Sequence, residues 1–369
     1  MAMRKIPENP NQILSRSPFL LPGIGVFGCI VLFAVMLAIL SPAPPRTIVM
    51  ATGAPGSAYA GFGEQYRDLL ARHGVKVELL ATKGAVDNIG RLRDPASGVS
   101  VAFVQSGLTD AEHAPELESL GTLFFEPVWI FNRGDLPQNA GALLKDRKFS
   151  IGPEGSGTRK LALELIRALG FDVAENSLLA LTAEEGGAAL LRGEIDGAVM
   201  VAPWESATVR QLLASEKISA VPFPRADAHI ALRPYLSKLV VPQGVADLAR
   251  NRPPYDLILV ASKGNLVVRK DLHPALQYLL LEAASTIHSR PGIFNKAGQF
   301  PAAEPIDFPL SEDARRFYHA GPPFLQRYLP FWLAVFVARL LVLLIPILGV
   351  AYPLFRASLL DRLASANVP

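Results

Sequence analysis

Two glycine-rich turns, ATGAPGSAYAGFG at 51–63 and IGPEGSGTRK at 151–160, each join a strand-like run to a helix-like run. Strand, tight glycine turn and helix in succession is the repeating unit of layered α/β folds. Such a turn exposes backbone N–H groups at a helix N-terminus, where unpaired donors and the helix dipole favour negative charge. Two of them, one in each half of the central region and facing across a cleft, define an expectation: a two-lobed receptor for a small anion.

The pattern between the turns supports that reading. TIVMA (47–51), VKVELLA (75–81) and VSVAFVQ (99–105) read as strands, separated by helices at about 58–73, with Tyr59, Phe62, Tyr66, Leu69 and Leu70 on one face, and at 86–93. The aromatic run TLFFEPVWIFNR (122–133) is interrupted by Pro127, where the chain is expected to cross between lobes. A second series follows: KFSIG (148–152), a helix over 159–169, SLLAL (177–181), a helix capped by Thr182 with Glu185 three residues on, IDGAVMVA (195–202) and a helix across 206–214. The proline-rich stretch 222–254 reads as a connection with short helical pieces such as GVADLARN; DLILVAS (256–262) and NLVVRKDL (265–272) read as two strands, and a helix over 274–288 is expected to pack back on the first lobe. The expected solute-binding domain is thus 46–320, with lobe 1 at about 46–145 and 255–320 and lobe 2 at about 146–254.

Hydrophobic residues make up 50% of the chain and its mean hydropathy is +0.28, and the excess lies at the two ends. Residues 20–41 begin with an uncharged run that is about 30 Å long as a helix, enough to cross a bilayer core. A cleaved signal peptide is the alternative, but the run exceeds an ordinary signal core and SPAPP places prolines where a cleavage site is wanted. Residues 330–355 form a second apolar stretch with Arg339 inside it, Phe331, Trp332 and Tyr352 at its borders and Pro346 as a kink; the alternative is a buried amphipathic helix. Arg4, Lys5 and Arg16 place the leading tail (1–19) in the cytoplasm and residue 42 onward outside; around the second stretch the basic residues fall on both sides. With two spans, the 356–369 tail is cytoplasmic as well.

Several classes are disfavoured. Mixed charges summing to +3 leave no basic stripe for nucleic acid, and the single cysteine, Cys29, permits no intrachain disulfide. Gly23, Gly25 and Gly28 match a dinucleotide-binding spacing, but inside an apolar run with no strand before it. Gly152 to Thr158 has phosphate-loop glycine spacing without the required lysine. Ser57 and Ser156 lack a nucleophile-elbow context, no zinc-protease motif occurs, and the six histidines are scattered, so no catalytic residue, metal ligand or cofactor site is assigned. The expectation is a binding protein and not an enzyme.

Candidate ligand residues follow from strand ends and helix starts. Gly53, Gly56 and Ser57 supply donors in the first turn with Tyr59 as a wall; Gly155, Ser156, Gly157 and Thr158 supply backbone and hydroxyl donors in the second. Gln105, Ser106, Glu126, Trp129 and Trp204 lie at or near strand ends, where ligands of open α/β sheets bind. Plainer readings stand beside these: a turn that merely permits chain reversal with Tyr59 in the core, and N-capping by Ser156 or Thr158.

The ordered set TGAPGSAYAGFG, KGAVDNIGRL, VAFVQSG, LFFEPVWIF, IGPEGSGTRKLALELI and LLRGEIDGAVMVA resembles the TAXI family of solute receptors of TRAP transporters, over roughly residues 46–300. The resemblance implies a type II-like periplasmic-binding-protein fold of two α/β lobes that closes on a small carboxylate or amino acid and delivers it to a separate membrane subunit. It implies ligand contacts from Gly53 to Tyr59, at Gln105, and from Gly155 to Thr158. Ala54, Pro55 and Ala58 depart from that family's more glycine- and hydroxyl-rich first loop. The segment PPFLQRYLPFWLAVFVARLL (322–341) resembles a membrane-anchored subgroup, which implies a receptor held in a bacterial inner membrane with its binding domain in the periplasm. A membrane-tethered sensing or scaffold module that signals through a partner is the other functional reading.

Overall fold

A computed structural model describes residues 44–136, 147–168, 170, 177–223, 225–304, 307–321, 324–329 and 331–337, with Gly28, Leu144 and a few positions from 340 to 356. Residues Pro45–Pro322 form one compact unit. Its first series is β1 (Thr47–Ala51), α1 (Ala58–Arg72), β2 (Lys76–Leu80), α2 (Ala85–Arg93), β3 (Val99–Gln105) and β4 (Leu117–Arg133). A second series comprises β5 (Phe149–Ser150), α3 (Gly157–Ala168), β6 (Leu178–Leu179), α4 (Ala183–Arg192), β7 (Gly197–Val201), α5 (Ala207–Ala214), β8 (Ile218–Ala220), α6 (Ala226–Leu232) and β9 (Ser237–Val241). β10 (Leu257–Arg269), α7 (Pro274–His288) and α8 (Glu312–Ala320) complete it.

The strand order is β2-β1-β3-β10-β4-β7-β5-β6, with β9 on β10 and β8 on β4. β1 pairs in parallel with β2 and β3, whereas β10 runs antiparallel to both β3 and β4, so the sheet is mixed and not purely parallel. Two long strands cross between the lobes. β4 pairs with β10 up to Pro127 and with β7 and β8 from Val128 onward. β10 pairs with β9 from Leu257 to Ala261 and with β3 from Gly264 onward. Pro127 falls at the change of partner, a position that tolerates its missing N–H donor.

Lobe 1 holds β1 to β3, the first half of β4, the second half of β10, α7 and α8. α1 buries Tyr59, Gly63, Tyr66 and Leu70, a helical stripe that packs on the sheet, and Ser57 Oγ accepts from Ala60 N at 3.3 Å as its N-cap. α7 lies beside α1 and its His288 ring stands 4.8 Å from Phe62 and 5.4 Å from Phe124. In lobe 2, Trp129, Phe131, Leu190, Met200, Val209 and Leu212 form one core and Phe149, Ile151, Leu161, Leu165 and Val260 another. The capping box of Thr182 and Glu185 that starts α4 is formed.

Three sequence expectations change. The runs 256–262 and 265–272 are one continuous strand, β10, because Gly264 faces Phe124, whose ring fills the space of an absent side chain at 2.8 Å from where a Cβ would sit. The stretch 222–254 is not a bare connection: it contributes α6 and β9. GVADLARN is a tight turn closed by the Asp247 to Arg252 bridge, with Asp247 Oδ1 accepting from Arg250 N at 3.0 Å, instead of a helix.

Outside the compact unit, α9 (Phe324–Tyr328) carries two exposed rings, Phe324 and Tyr328, with centroids 5.1 Å apart. Among the described residues, no helix is long and apolar enough to cross a membrane. The expected span at 20–41 lies outside the described residues, and so do Arg339 and Pro346 of the 330–355 stretch.

Candidate functional site

The carboxyl ends of β1 and β3 are tied together from below by Asn88, which is fully buried on α2. Its Nδ2 donates to Thr52 O at 2.6 Å and Phe103 O at 2.8 Å, and Thr82 Oγ1 meets its Oδ1 at 2.6 Å. This fixes three segments that lead within two residues to Gly53, Gly84 and Gln105. Asn88 stands in the KGAVDNIGRL run, but an asparagine inside a helix carries no local signal of that role.

Helix starts from both lobes meet at this point. Asp87 N, in the first turn of α2, donates to Gly155 O at 3.3 Å. Gly84, at φ +123°, lies so near Ser156 that a Cβ there would stand 3.3 Å from Ser156 Cα; Gly155, at φ +80°, packs on Lys83 in the same way at 3.3 Å. Gly157, the first residue of α3, lies directly against the carboxamide of Gln105, where any side chain would collide with Gln105 Oε1. Gly56 of the first turn, at φ +84°, reaches Glu184 at the start of α4, with 3.7 Å between its missing Cβ and Glu184 Cδ. The second glycine-rich turn thus packs on the turn before α2 and on Gln105, while the first reaches the start of α4, with glycine at each point of closest approach.

Gln105 is 3% exposed, and its Nε2 has no hydrogen-bond partner. A buried amide donor without a partner costs about 1 to 3 kcal/mol, which marks the position as one built to meet something else. Ser106 beside it is tied into lobe 1: its N donates to Lys263 O at 2.9 Å and its Oγ accepts from Asn265 Nδ2 at 2.8 Å.

Alternation along β3 and β4 puts Gln105 and Glu126 on the α1 face, two strands apart across β10, opposite Gly264 and Ser262. Glu126 is 4% exposed and accepts from Tyr59 OH at 3.1 Å. Tyr59 stacks on Phe103 at 5.3 Å and meets Phe124 edge-on at 6.3 Å. Burial pushes the Glu126 carboxyl up to about 8, only partly offset by the Tyr59 hydrogen bond, so the group is neutral at pH 7. The Tyr59 hydroxyl is raised above its ordinary range by burial first and by Glu126 second.

Other candidates make structural contacts of their own. Ser156 caps α3, accepting from Arg159 N at 3.1 Å and donating to Pro153 O at 2.7 Å, and Thr158 folds against Gly152. Ser57 caps α1. Gly53 stands 2.7 Å, measured from its missing Cβ, from Ser57 Oγ. Trp129 does not line the cleft: it is fully buried in the lobe 2 core, where its indole N–H donates to Ala202 O at 2.8 Å. Trp204 packs beside that core, 6.4 Å from Trp129 and 6.5 Å from Phe294. Among the described residues, no cluster of His, Cys, Asp or Glu has the grouping of a metal site.

A mixed α/β protein whose two lobes are joined by two crossing strands, with glycine turns of both lobes meeting over buried polar groups, is the class that the fold and site define. The chain belongs to the NMT1-like family, whose model matches residues 50–319. Among solved structures it is similar to the periplasmic aliphatic sulphonate binding protein SsuA from Escherichia coli, with 15% identity, a TM-score of 0.40, and 66% of this chain and 72% of that one covered. The alkanesulfonate-binding protein SsuA from Xanthomonas axonopodis pv. citri matches at 15% identity and a TM-score of 0.40, over 66% and 73%. A histidine kinase sensor domain with similarity to periplasmic binding proteins matches at 18% identity and a TM-score of 0.40, over 66% and 90%.

Proposed function

We propose that this chain is a membrane-anchored extracytoplasmic solute receptor that closes its two lobes on a small carboxylate or amino acid and hands it to the membrane subunit of a TRAP-type transporter. The observation that carries the reading is the buried, unpartnered amide of Gln105 where helix N-termini of both lobes converge. Donors and dipoles of that kind hold an anionic group without a basic side chain. The ligand-contact set in this reading is Gly53, Gly56, Ser57 and Tyr59 from the first turn, Gln105, Ser106 and Glu126 from the strand ends, and Gly155, Ser156, Gly157 and Thr158 from the second turn. The function is capture and delivery, with no bond made or broken.

The apolar stretches 20–41 and 330–355 are the anchors in this account, holding the domain in the periplasm beside its transporter at raised effective concentration. Reporter fusions at residue 45 and at the C-terminus are expected to report opposite sides of the membrane; the same side for both contradicts the two-anchor topology. For the ligand, a thermal-shift screen of amino acids and mono- and dicarboxylates is expected to find a compound that raises the melting temperature with concentration, since a ligand that binds only the folded state stabilises it by mass action. A screen in which no carboxylate or amino acid shifts the transition overturns the reading.

A further inference from the structure

The turn that follows Gln105 and Ser106 is gripped from lobe 2 at a place outside the ligand-contact set. Gly107, at φ +84°, lies flat against the Tyr235 ring, so closely that a Cβ would collide with three of the ring's carbons. Lys160 Nζ, in the first turn of α3, donates to Leu108 O at 2.5 Å. From the lobe 1 side the same turn is held by Asp307, whose Oδ2 accepts from Gly107 N at 2.8 Å. Tyr235 is itself braced within lobe 2: its hydroxyl lies 3.3 Å from Glu164 Oε2, and Glu164 Oε1 pairs with Arg233 Nε at 2.5 Å.

We propose that Lys160 and Tyr235 are positioning residues for lobe closure, a latch that seizes the Gly107–Leu108 turn and thereby stabilises the closed state. The inference rests on the receptor reading for its purpose, but its geometry is independent of any ligand. Gln105 and Ser106 immediately precede the latched turn, so a solute that orders them also presents Gly107 and Leu108 to lobe 2. Binding and closure are then coupled through two peptide units instead of through the ligand alone. A fully formed hydrogen bond from a charged donor shifts an open–closed equilibrium by roughly tenfold or more, and by less where, as at Lys160, the donor is exposed to solvent.

The test is single-molecule energy transfer on the full chain without added solute, with fluorophores at Gln65→Cys on α1 and Arg167→Cys on α3 in a Cys29→Ser background. Both labelled positions are exposed. Wild type is expected to populate a high-transfer state; Lys160→Ala and Tyr235→Ala are each expected to deplete it about threefold or more, with melting temperatures close to wild type. Tyr235→Phe keeps the ring on Gly107 and is expected to keep the closed population, and Lys160→Arg likewise. Lys160 is exposed, so its variant folds even if Tyr235→Ala does not. An unchanged transfer distribution in Lys160→Ala and in folded Tyr235→Ala overturns the latch, as does a wild type found only open. Failure of the receptor reading shows separately, as absence of any stabilising solute, and leaves these distributions untouched.

Discussion

Glu126 and His288 are buried ionisable groups without an opposite charge, and each ties stability to pH in its own direction. Burial lifts the Glu126 carboxyl to about 8. Between the ordinary glutamate value and 8, unfolding releases a proton that the folded state retains, so stability falls as pH rises through that window and the full penalty, on the order of a few kcal/mol, is reached above it. Glu126→Gln keeps the shape and is expected to melt close to wild type at pH 4.5 and clearly above it at pH 8.5; a difference independent of pH argues against the assignment. His288 is pushed the other way, to about 3, by burial among Phe62, Tyr66 and Phe124. Here unfolding takes up a proton below the ordinary histidine value, so stability is lost as pH falls from about 6.5 toward 3. His288→Phe is expected to flatten the acid limb of a melting-temperature profile, and an unchanged limb contradicts that. Neither environment is legible from the sequence: Glu126 was visible as a polar residue beside Pro127, but its burial depends on Tyr59 arriving from another element.

At the scale of elements, the glycines that matter are those where two elements touch. Gly121 on β4, at φ +128°, meets Tyr318 of α8, whose hydroxyl donates to Leu120 O at 2.9 Å. Gly121→Ala combines a left-handed backbone with a collision and is expected to cost about 2 kcal/mol or more in a denaturant titration, well beyond an ordinary surface substitution. A cost below about 0.5 kcal/mol would mean that α8 is not docked there. The strand–turn–helix units, the Thr182 capping box and the crossing at Pro127 were readable because local chemistry decides them: periodicity, cap spacing and a missing N–H. The continuity of β10 was not, since Lys263 and Gly264 look like a break until Phe124 is seen to fill the glycine's place. The turn at 244–251 misled for the opposite reason, because its apolar spacing is helical while Asp247 and the flanking prolines close it as a turn.

For the molecule as a whole, the compact unit Pro45–Pro322 contains the buried cores of both lobes, so a fragment of those residues is expected to be soluble and to melt cooperatively. A broad, non-cooperative melt would place the C-terminal stretch within the fold. The sequence led to an expectation of two glycine turns facing across a cleft; in the structure it is the second turn that meets Gln105, through Gly157, and that meeting is the feature on which the account turns. The role of Lys160 and Tyr235 could not be read in advance, because it exists only when the lobes are together. Calorimetric titration of this fragment with the best-stabilising carboxylate or amino acid, wild type beside Gly157→Val, tests the central claim most directly. Any side chain at 157 collides with Gln105 and blocks the approach of α3 to the cleft. Wild type is expected to give a saturable heat of one site, and Gly157→Val, still cooperatively folded, to lose affinity at least tenfold; equal affinity in the two proteins would contradict a ligand site between the lobes at Gln105.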